Sequence, residues 1–130
     1  MKPAAFLFAL AAALLTSTVE AGAVAASEML QKAFGNTIVS TYPDGRTALI
    51  WLKADGAFSG KGRRRLLYSG VWEEKGDKLC LRQTRPIPIP FTYCTAIPTG
   101  TTWTGKAITG EPLKMQLLPG VVEVPAVVAP

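Results

Sequence analysis

Glycine-containing turns divide most of this chain into short segments, and their spacing limits the fold more than any other sequence feature. Three of these turns are Pro43-Asp44-Gly45, Ala54-Asp55-Gly56 and Lys75-Gly76-Asp77. The segments between turns are rich in β-branched and aromatic residues, which favour strands. Tight turns join antiparallel neighbours, because parallel pairing needs a long crossover connection. We therefore predict a mainly β fold, an antiparallel meander of seven or eight strands that curls into a small barrel or half-barrel.

A short helix is expected before the first strand. Ser27 is a suitable N-cap residue, and Gly35-Asn36 would end a helix of two turns. Farther along the chain, Leu113, Met115 and Leu117 alternate with polar residues, which gives the sheet one buried face. We expect the helix to cover one open end of the barrel.

The first 26 residues differ in composition from the rest of the chain. Lys2 precedes an uninterrupted apolar run from Ala4 to Leu15, and small residues follow, as in a secretory signal peptide. This run is shorter than the roughly 20 apolar residues that a membrane anchor needs. Cleavage after Ala23 or after Ala26 fits the small-residue rule, and the second site leaves Ser27 to begin the helix. We therefore predict a signal peptide at residues 1–26 and a periplasmic or secreted protein.

The chain has two cysteines, Cys80 and Cys94. Export places them in an oxidising compartment, where they are expected to form a disulfide. A hairpin that turns at Ile87 would place Cys80 directly opposite Cys94, so the strand register and the bridge agree. A redox-active pair is disfavoured, because the spacing is not that of a C-x-x-C motif.

Catalytic and metal-binding patterns are scarce. The chain has no histidine, which excludes Ser-His-Asp triads and histidine-ligated metals. Glu73 and Glu74 are adjacent in a predicted strand and therefore point to opposite faces. Asp44, Asp55 and Asp77 stand beside glycines, where a carboxylate usually accepts hydrogen bonds from the local backbone. We expect no catalytic residues, no metal site and no cofactor, and hence no enzymatic activity.

A basic segment and a proline-rich loop are the candidate binding regions. The formal net charge is +5, and the candidate anion-binding residues are Lys61, Arg63, Arg64 and Arg65. The alternative for these residues is a solvated hairpin tip. In the loop of residues 85–90, Ile87 and Ile89 are candidate partner-binding residues on a stiff backbone, although they would serve equally to pack back on the barrel.

The predicted mature chain contains one β domain, residues 27–119, and a flexible apolar tail, residues 120–130. Pro125 and Pro130 interrupt the apolar pattern of this tail. The functional alternative is that Val121 to Val124 form an edge strand that pairs with a partner chain.

An ordered series of turn and strand motifs extends to Cys94. These motifs are Gly35-Asn36-Thr37, Pro43-Asp44-Gly45, the segment Trp51 to Gly56, Gly60, Ser69-Gly70-Val71-Trp72 and Lys78-Leu79-Cys80-Leu81. With these motifs in this order, the chain resembles a group of small exported proteins of unknown function from alphaproteobacteria. This resemblance suggests a lipocalin-like β domain. The resemblance implies export and a β fold, and it implies no activity and no catalytic residues.

Three functional hypotheses follow from the sequence. The first is an exported binding module for a protein or envelope component, including an inhibitor of an exported enzyme. The second is a carrier of a small apolar ligand inside the barrel, lined by Trp51, Trp72 and Trp103, although these residues suit a core better. The third is a weak anion binder that uses the basic segment. The sequence carries no specific nucleic-acid signal and no membrane span in the mature chain.

Overall fold

The computed structural model describes residues 26–128, which form one short helix and eight strands. The helix is α1 (Glu28–Gln31), and Ser27 caps it by accepting a hydrogen bond from the backbone of Leu30. The strands are β1 (Thr37–Thr41), β2 (Thr47–Leu52), β3 (Ala57–Lys61), β4 (Leu67–Lys75), β5 (Lys78–Arg85), β6 (Tyr93–Ala96), β7 (Thr102–Lys106) and β8 (Pro112–Leu118). This architecture confirms the predicted fold class. The predicted signal peptide lies outside the described residues, apart from Ala26.

All eight strands belong to one antiparallel sheet with the order β6-β5-β4-β3-β2-β1-β8-β7. The first six strands form the predicted meander, and the last two form a separate hairpin. Pairing of β1 with β8 joins these two units across the length of the chain. The sheet therefore curls until its two edge strands, β6 and β7, lie beside each other. The Tyr93 hydroxyl donates a hydrogen bond between these two edges to the Lys106 carbonyl. The result is a nearly closed barrel.

The core lies inside the barrel at the end covered by α1. Leu30 and Ala33 have no exposed surface and join the inward-facing strand residues. The rings of Phe34 and Trp72 are 5.6 Å apart, and the Trp72 indole donates a 2.7 Å hydrogen bond to the Lys53 carbonyl. The helix thus closes one end of the barrel, as the sequence predicts, because its apolar side completes the core.

The two cysteines form the predicted disulfide. Cys80 on β5 lies directly opposite Cys94 on β6, and Leu81 lies opposite Tyr93 as the hairpin register requires. The bridge points away from the barrel interior, because its neighbours Leu81 and Tyr93 point inward. The disulfide therefore fixes the edge strand β6 without occupying the interior.

The chain after β8 follows the outer surface of the barrel. Within the predicted tail, residues 120–130, the described residues 120–128 make hydrogen bonds to the sheet. The Thr47 amide donates a 3.0 Å hydrogen bond to the Ala126 carbonyl, and the Val128 amide donates a 2.9 Å hydrogen bond to the Gly45 carbonyl. These backbone contacts hold this segment beside the start of β2.

The same segment covers apolar residues on the outer face of β1 and β2. The Thr37 hydroxyl donates a 2.8 Å hydrogen bond to the Gly120 carbonyl and accepts one from the Trp51 indole. Val39 and Leu49 pair on this outer face and are only 3% and 0% exposed. Tail residues 120–128 therefore cross the outer face on which Val39 and Leu49 are buried, and burial of apolar surface favours this attachment.

Candidate ligand-binding cavity

The barrel contains a cavity of about 420 Å³ at the end opposite α1. The connections after β1, β3, β5 and β7 all lie at this end, because every second connection of an antiparallel sheet lies on the same side. The aromatic lining residues are Tyr42, Phe58, Tyr68, Phe91 and Tyr93. The aliphatic ones are Ala48, Ile50, Leu81, Ile89, Ala107, Ile108 and Leu113, and the polar ones are Ser40, Arg63, Gln83 and Thr109. The cavity is thus largely apolar and carries one cation.

The inner wall of the cavity depends on a glycine. Gly60 on β3 lies opposite Tyr68 on β4, and a Cβ atom at position 60 would lie 2.5 Å from the Tyr68 ring. The absence of that atom lets the Tyr68 ring lie against the strand backbone instead of projecting across the barrel. In this position Tyr68 makes an edge-to-face contact with Phe58, with ring centroids 5.8 Å apart.

Three tyrosines give the cavity neutral hydrogen-bonding groups. Burial raises the pKa of Tyr68 to about 12 and also raises the pKa values of Tyr42 and Tyr93. All three phenols are therefore protonated near neutral pH. Within residues 26–128, the hydroxyl of Tyr93 is bonded to a carbonyl, whereas those of Tyr42 and Tyr68 make no hydrogen bond to the protein. These last two hydroxyls can donate to a bound molecule.

Arg63 is the charged residue of the cavity lining. Its guanidinium carbon lies 4.4 Å from the centre of the Tyr42 ring, in a cation–π contact. A guanidinium nitrogen lies 3.7 Å from a carboxylate oxygen of Glu111, which is too long for a hydrogen bond. Arg63 therefore has electrostatic partners, while its N–H donors have no hydrogen-bond acceptor in the described part of the chain.

The structure divides the four residues of the predicted anion-binding group. Lys61 forms a 3.1 Å ion pair with Glu123, and Arg65 donates a 2.8 Å hydrogen bond to the Val124 carbonyl. Both side chains therefore hold tail residues 120–128 against the barrel. Arg64 is exposed to solvent. Because these side chains have separate environments, the basic segment does not form one anion-binding cluster with Arg63.

The two isoleucines of the proline-rich loop also separate. Ile87 is 70% exposed, whereas Ile89 lines the cavity. Reciprocal hydrogen bonds fold the loop back: the Ile89 amide donates to the Gln83 carbonyl, and the Gln83 side chain donates to the Ile87 carbonyl. The loop thus presents one isoleucine to solvent and the other to the barrel interior.

None of the three tryptophans belongs to the cavity wall, so the carrier hypothesis loses its tryptophan lining, whereas Trp72 and Trp103 have the core positions that the sequence favours. Trp72 lies in the core near α1, Trp51 lies on the outer face beneath tail residues 120–128, and Trp103 packs against the core. Sequence patterns do not identify the lining tyrosines as a group. The alternation of inward- and outward-facing residues indicates an inward position for Tyr93, but only the strand register places Tyr42 and Tyr68 beside it.

The described residues contain no group of three or more cysteine and carboxylate side chains that could hold a metal ion. In the same residues, no helix is long and apolar enough to cross a membrane. No protein-family model, curated protein or solved structure matches the chain at a significant level.

Proposed function

We propose that this protein is an exported, non-enzymatic binding protein that carries a small apolar ligand inside its barrel. The observation that carries this proposal is the cavity of about 420 Å³, closed at one end by α1 and open at the other. Ligand sites are typically concave and apolar with a few polar groups, and they measure about 300–1,000 Å³. The cavity has these properties.

The aromatic wall suits a ligand with a ring or a flexible chain. Phe58 and Phe91 supply apolar surface, while Tyr42 and Tyr68 add hydroxyl groups at fixed positions. Burial of apolar ligand surface contributes about 25 cal/mol per Å², and it provides the main attraction in such a site. The position of Ile89 favours the carrier function over protein binding by the proline-rich loop. Ile89 contributes to the cavity wall, whereas Ile87 is exposed, so the two side chains do not form one binding surface.

Export is supported by the disulfide and by the contact between Ser27 and Glu74. Disulfides persist in oxidising compartments. The backbone nitrogen of Ser27 lies 2.8 Å from a carboxylate oxygen of Glu74. Cleavage after Ala26 would convert this nitrogen into an ammonium group beside an acidic partner, which favours this site over cleavage after Ala23. The resemblance to small exported alphaproteobacterial proteins agrees with this proposal.

A fluorescence titration tests the carrier proposal. The disulfide-bonded protein is titrated with N-phenyl-1-naphthylamine, a neutral apolar dye, and saturable binding of one dye per chain is expected. Ala48→Phe fills the cavity and should weaken binding at least about tenfold, because the added ring occupies the ligand volume. Ala54→Phe makes the same change in an exposed turn and should leave binding unchanged.

Circular dichroism and thermal melting show whether Ala48→Phe remains folded, and Ala107→Phe at the cavity wall provides a second variant. Absence of saturable dye binding, or equal binding by the wild type and both cavity variants, would contradict the carrier proposal. A native mass spectrum of protein purified from a bacterial periplasm would identify the mature N-terminus and any retained small molecule.

The exposed residues around the cavity opening favour a second candidate function, binding to the envelope membrane surface. Leu66, Ile87 and Ile108 are between 65% and 70% exposed on three separate connections at this end. Arg64 and Lys106 are exposed cations of the same region. Apolar side chains beside cations suit an anionic lipid surface. Cosedimentation with anionic vesicles, but not with neutral vesicles, would support membrane binding. The double variant Leu66→Ser with Ile87→Ser should then no longer cosediment.

A further inference from the structure

We infer that the ligand of the barrel carries one anionic group, such as a carboxylate, which Arg63 binds at the cavity opening while the apolar part lies inside. This inference rests on the proposed carrier function. It names the chemical class of the ligand as an anionic amphiphile or an aromatic acid of similar size.

The first support is that the N–H groups of Arg63 donate no hydrogen bond within the described residues, although Tyr42 and Glu111 lie close to its charge. Its side chain lines the cavity and is 32% exposed, so its charge is partly removed from water. Lys61 differs, because its ammonium group donates 3.1 Å hydrogen bonds to both carboxylate oxygens of Glu123. Removing a charged group from water is costly when its N–H donors find no acceptor. A ligand anion would supply the acceptors that residues 26–128 do not provide to Arg63.

The second support is the contact between Arg63 and Tyr42. The guanidinium carbon lies over the Tyr42 ring, 4.4 Å from its centre, and this cation–π contact uses no carboxylate or carbonyl acceptor, so the N–H groups remain available to a planar carboxylate. Within the described residues the Tyr42 hydroxyl makes no hydrogen bond, and its raised pKa keeps it neutral, so it can donate to a molecule in the cavity. The cavity lining therefore combines the N–H donors of Arg63 with a neutral hydroxyl group.

Glu111 limits the attraction of this site for an anion, because it forms a 3.7 Å ion pair with Arg63. The Glu111 carboxylate accepts a 2.8 Å hydrogen bond from the Thr109 hydroxyl, and this bond holds it 3.7 Å from the guanidinium. Glu111 therefore reduces the positive potential of Arg63 without using its donors. It would repel a ligand carboxylate at short range, so its neutralisation should strengthen binding of an anion.

A matched pair of ligands separates charge recognition from apolar burial. Dodecanoate and dodecanol have the same chain length and differ in the charged end group. Each is used to displace the neutral dye N-phenyl-1-naphthylamine from the full wild-type chain at neutral pH. Dodecanoate is expected to bind about tenfold more tightly than dodecanol, because one charge-assisted hydrogen bond contributes a free energy of this size. This preference should decrease as the salt concentration rises.

Three variants assign the preference to a residue. Arg63→Gln should abolish the preference for dodecanoate and leave dodecanol binding within about twofold of the wild-type value. Glu111→Gln should increase dodecanoate affinity about threefold with no change for dodecanol. Arg64→Gln removes an exposed charge one residue away and should change neither affinity.

The outcomes distinguish the two proposals. Equal binding of the two ligands by the wild type, or a preference that persists in Arg63→Gln, would overturn the inference and leave the carrier proposal intact. Failure of the dye and both ligands to bind would overturn the carrier proposal itself. Should Arg63→Gln not fold, Glu111→Gln decides the question, because an unchanged dodecanoate affinity in that variant contradicts a role for Arg63.

Discussion

Tyr68 lies against the backbone of Gly60, its partner on the neighbouring strand, in a position that any side chain at residue 60 would block. A Cβ atom there would be 2.5 Å from the Tyr68 Cζ atom. This close approach places an aromatic ring against one wall of the barrel. It therefore connects one glycine in the sequence to the shape of the cavity.

Gly60→Ala should displace the Tyr68 ring, lower the free energy of unfolding by about 1–3 kcal/mol and weaken dye binding, because overpacking forces nearby groups to move. Urea unfolding and the dye titration measure these effects. Gly100→Ala is the control, since a Cβ there has no neighbour within 4 Å. Equal stability of the two variants would contradict the close packing of Tyr68 on residue 60.

Removal of the disulfide should destabilise the fold, because it fastens the edge strand β6 to β5. Cys80 and Cys94 are 14 residues apart, and a ring of this size contributes roughly 3 kcal/mol. The double variant Cys80→Ala with Cys94→Ala should unfold at a lower urea concentration than the wild type. A reductant should lower the wild-type midpoint and leave the double variant unchanged. A wild-type midpoint that does not respond to reductant would contradict this prediction.

Arg65 should contribute more to stability than its neighbour Arg64. The Arg65 guanidinium donates 2.8 Å hydrogen bonds to the Thr47 hydroxyl and the Val124 carbonyl, whereas Arg64 is exposed. Arg65→Gln should lower the free energy of unfolding by about 2–3 kcal/mol, while Arg64→Gln should change it by less than about 0.5 kcal/mol. Urea unfolding of both variants makes the comparison, and similar losses would show that tail residues 120–128 do not depend on Arg65.

Stability should decline at alkaline pH because of Tyr68. Burial raises its pKa from 10.0 to about 12, so between these values the unfolded chain releases a proton that the folded chain keeps. The unfolded state then binds fewer protons, and stability falls as the pH rises through this range. The loss reaches up to about 3 kcal/mol. Tyr42 and Tyr93 contribute in the same direction.

Urea unfolding at several pH values measures this loss, and tyrosinate absorbance reports the ionisation directly. Tyr68→Phe cannot ionise at this position and should therefore lose less stability than the wild type between about pH 10 and pH 12. Identical pH profiles for the two proteins would contradict the burial of the Tyr68 hydroxyl.

Ile89 and Ile87 should differ in their effect on ligand binding. Ile89→Ser introduces a hydroxyl into the cavity wall and removes apolar surface, so dye affinity should fall about tenfold. Ile87→Ser changes a side chain that is 70% exposed and should leave dye affinity unchanged. The dye titration tests both variants. Loss of affinity in Ile87→Ser alone would place the binding surface outside the barrel.

Local chemistry explains which features the sequence predicts well. Asp44 and Asp55 accept hydrogen bonds from backbone amides two residues later, as expected for carboxylates in turns. These turns define the strands, and the pairing of Cys80 with Cys94 follows from the register of one hairpin. Each of these features depends on residues that are close in the chain, so spacing and residue type suffice to predict them.

Residues distant in the chain form the candidate site, and sequence patterns do not specify such contacts. The basic segment shows this difference, because Arg63 and Arg65 are two positions apart and have separate environments. Pairing of β1 with β8 brings the connection after β7 beside the cavity, where Glu111 meets Arg63. The identity of the cavity lining therefore depends on closure of the sheet.

The sequence by itself determined the strands, the turns, the short helix and the disulfide, because each depends on local propensity or on one hairpin register. Only the tertiary structure decided that residues 120–128 cover the outer face of the sheet and that Arg63 lines a cavity. The Thr37 hydroxyl and the Gly120 carbonyl, which bond at 2.8 Å, are 83 residues apart. Contacts of this kind form only when the whole chain has folded, because burial and charge partners depend on three-dimensional packing.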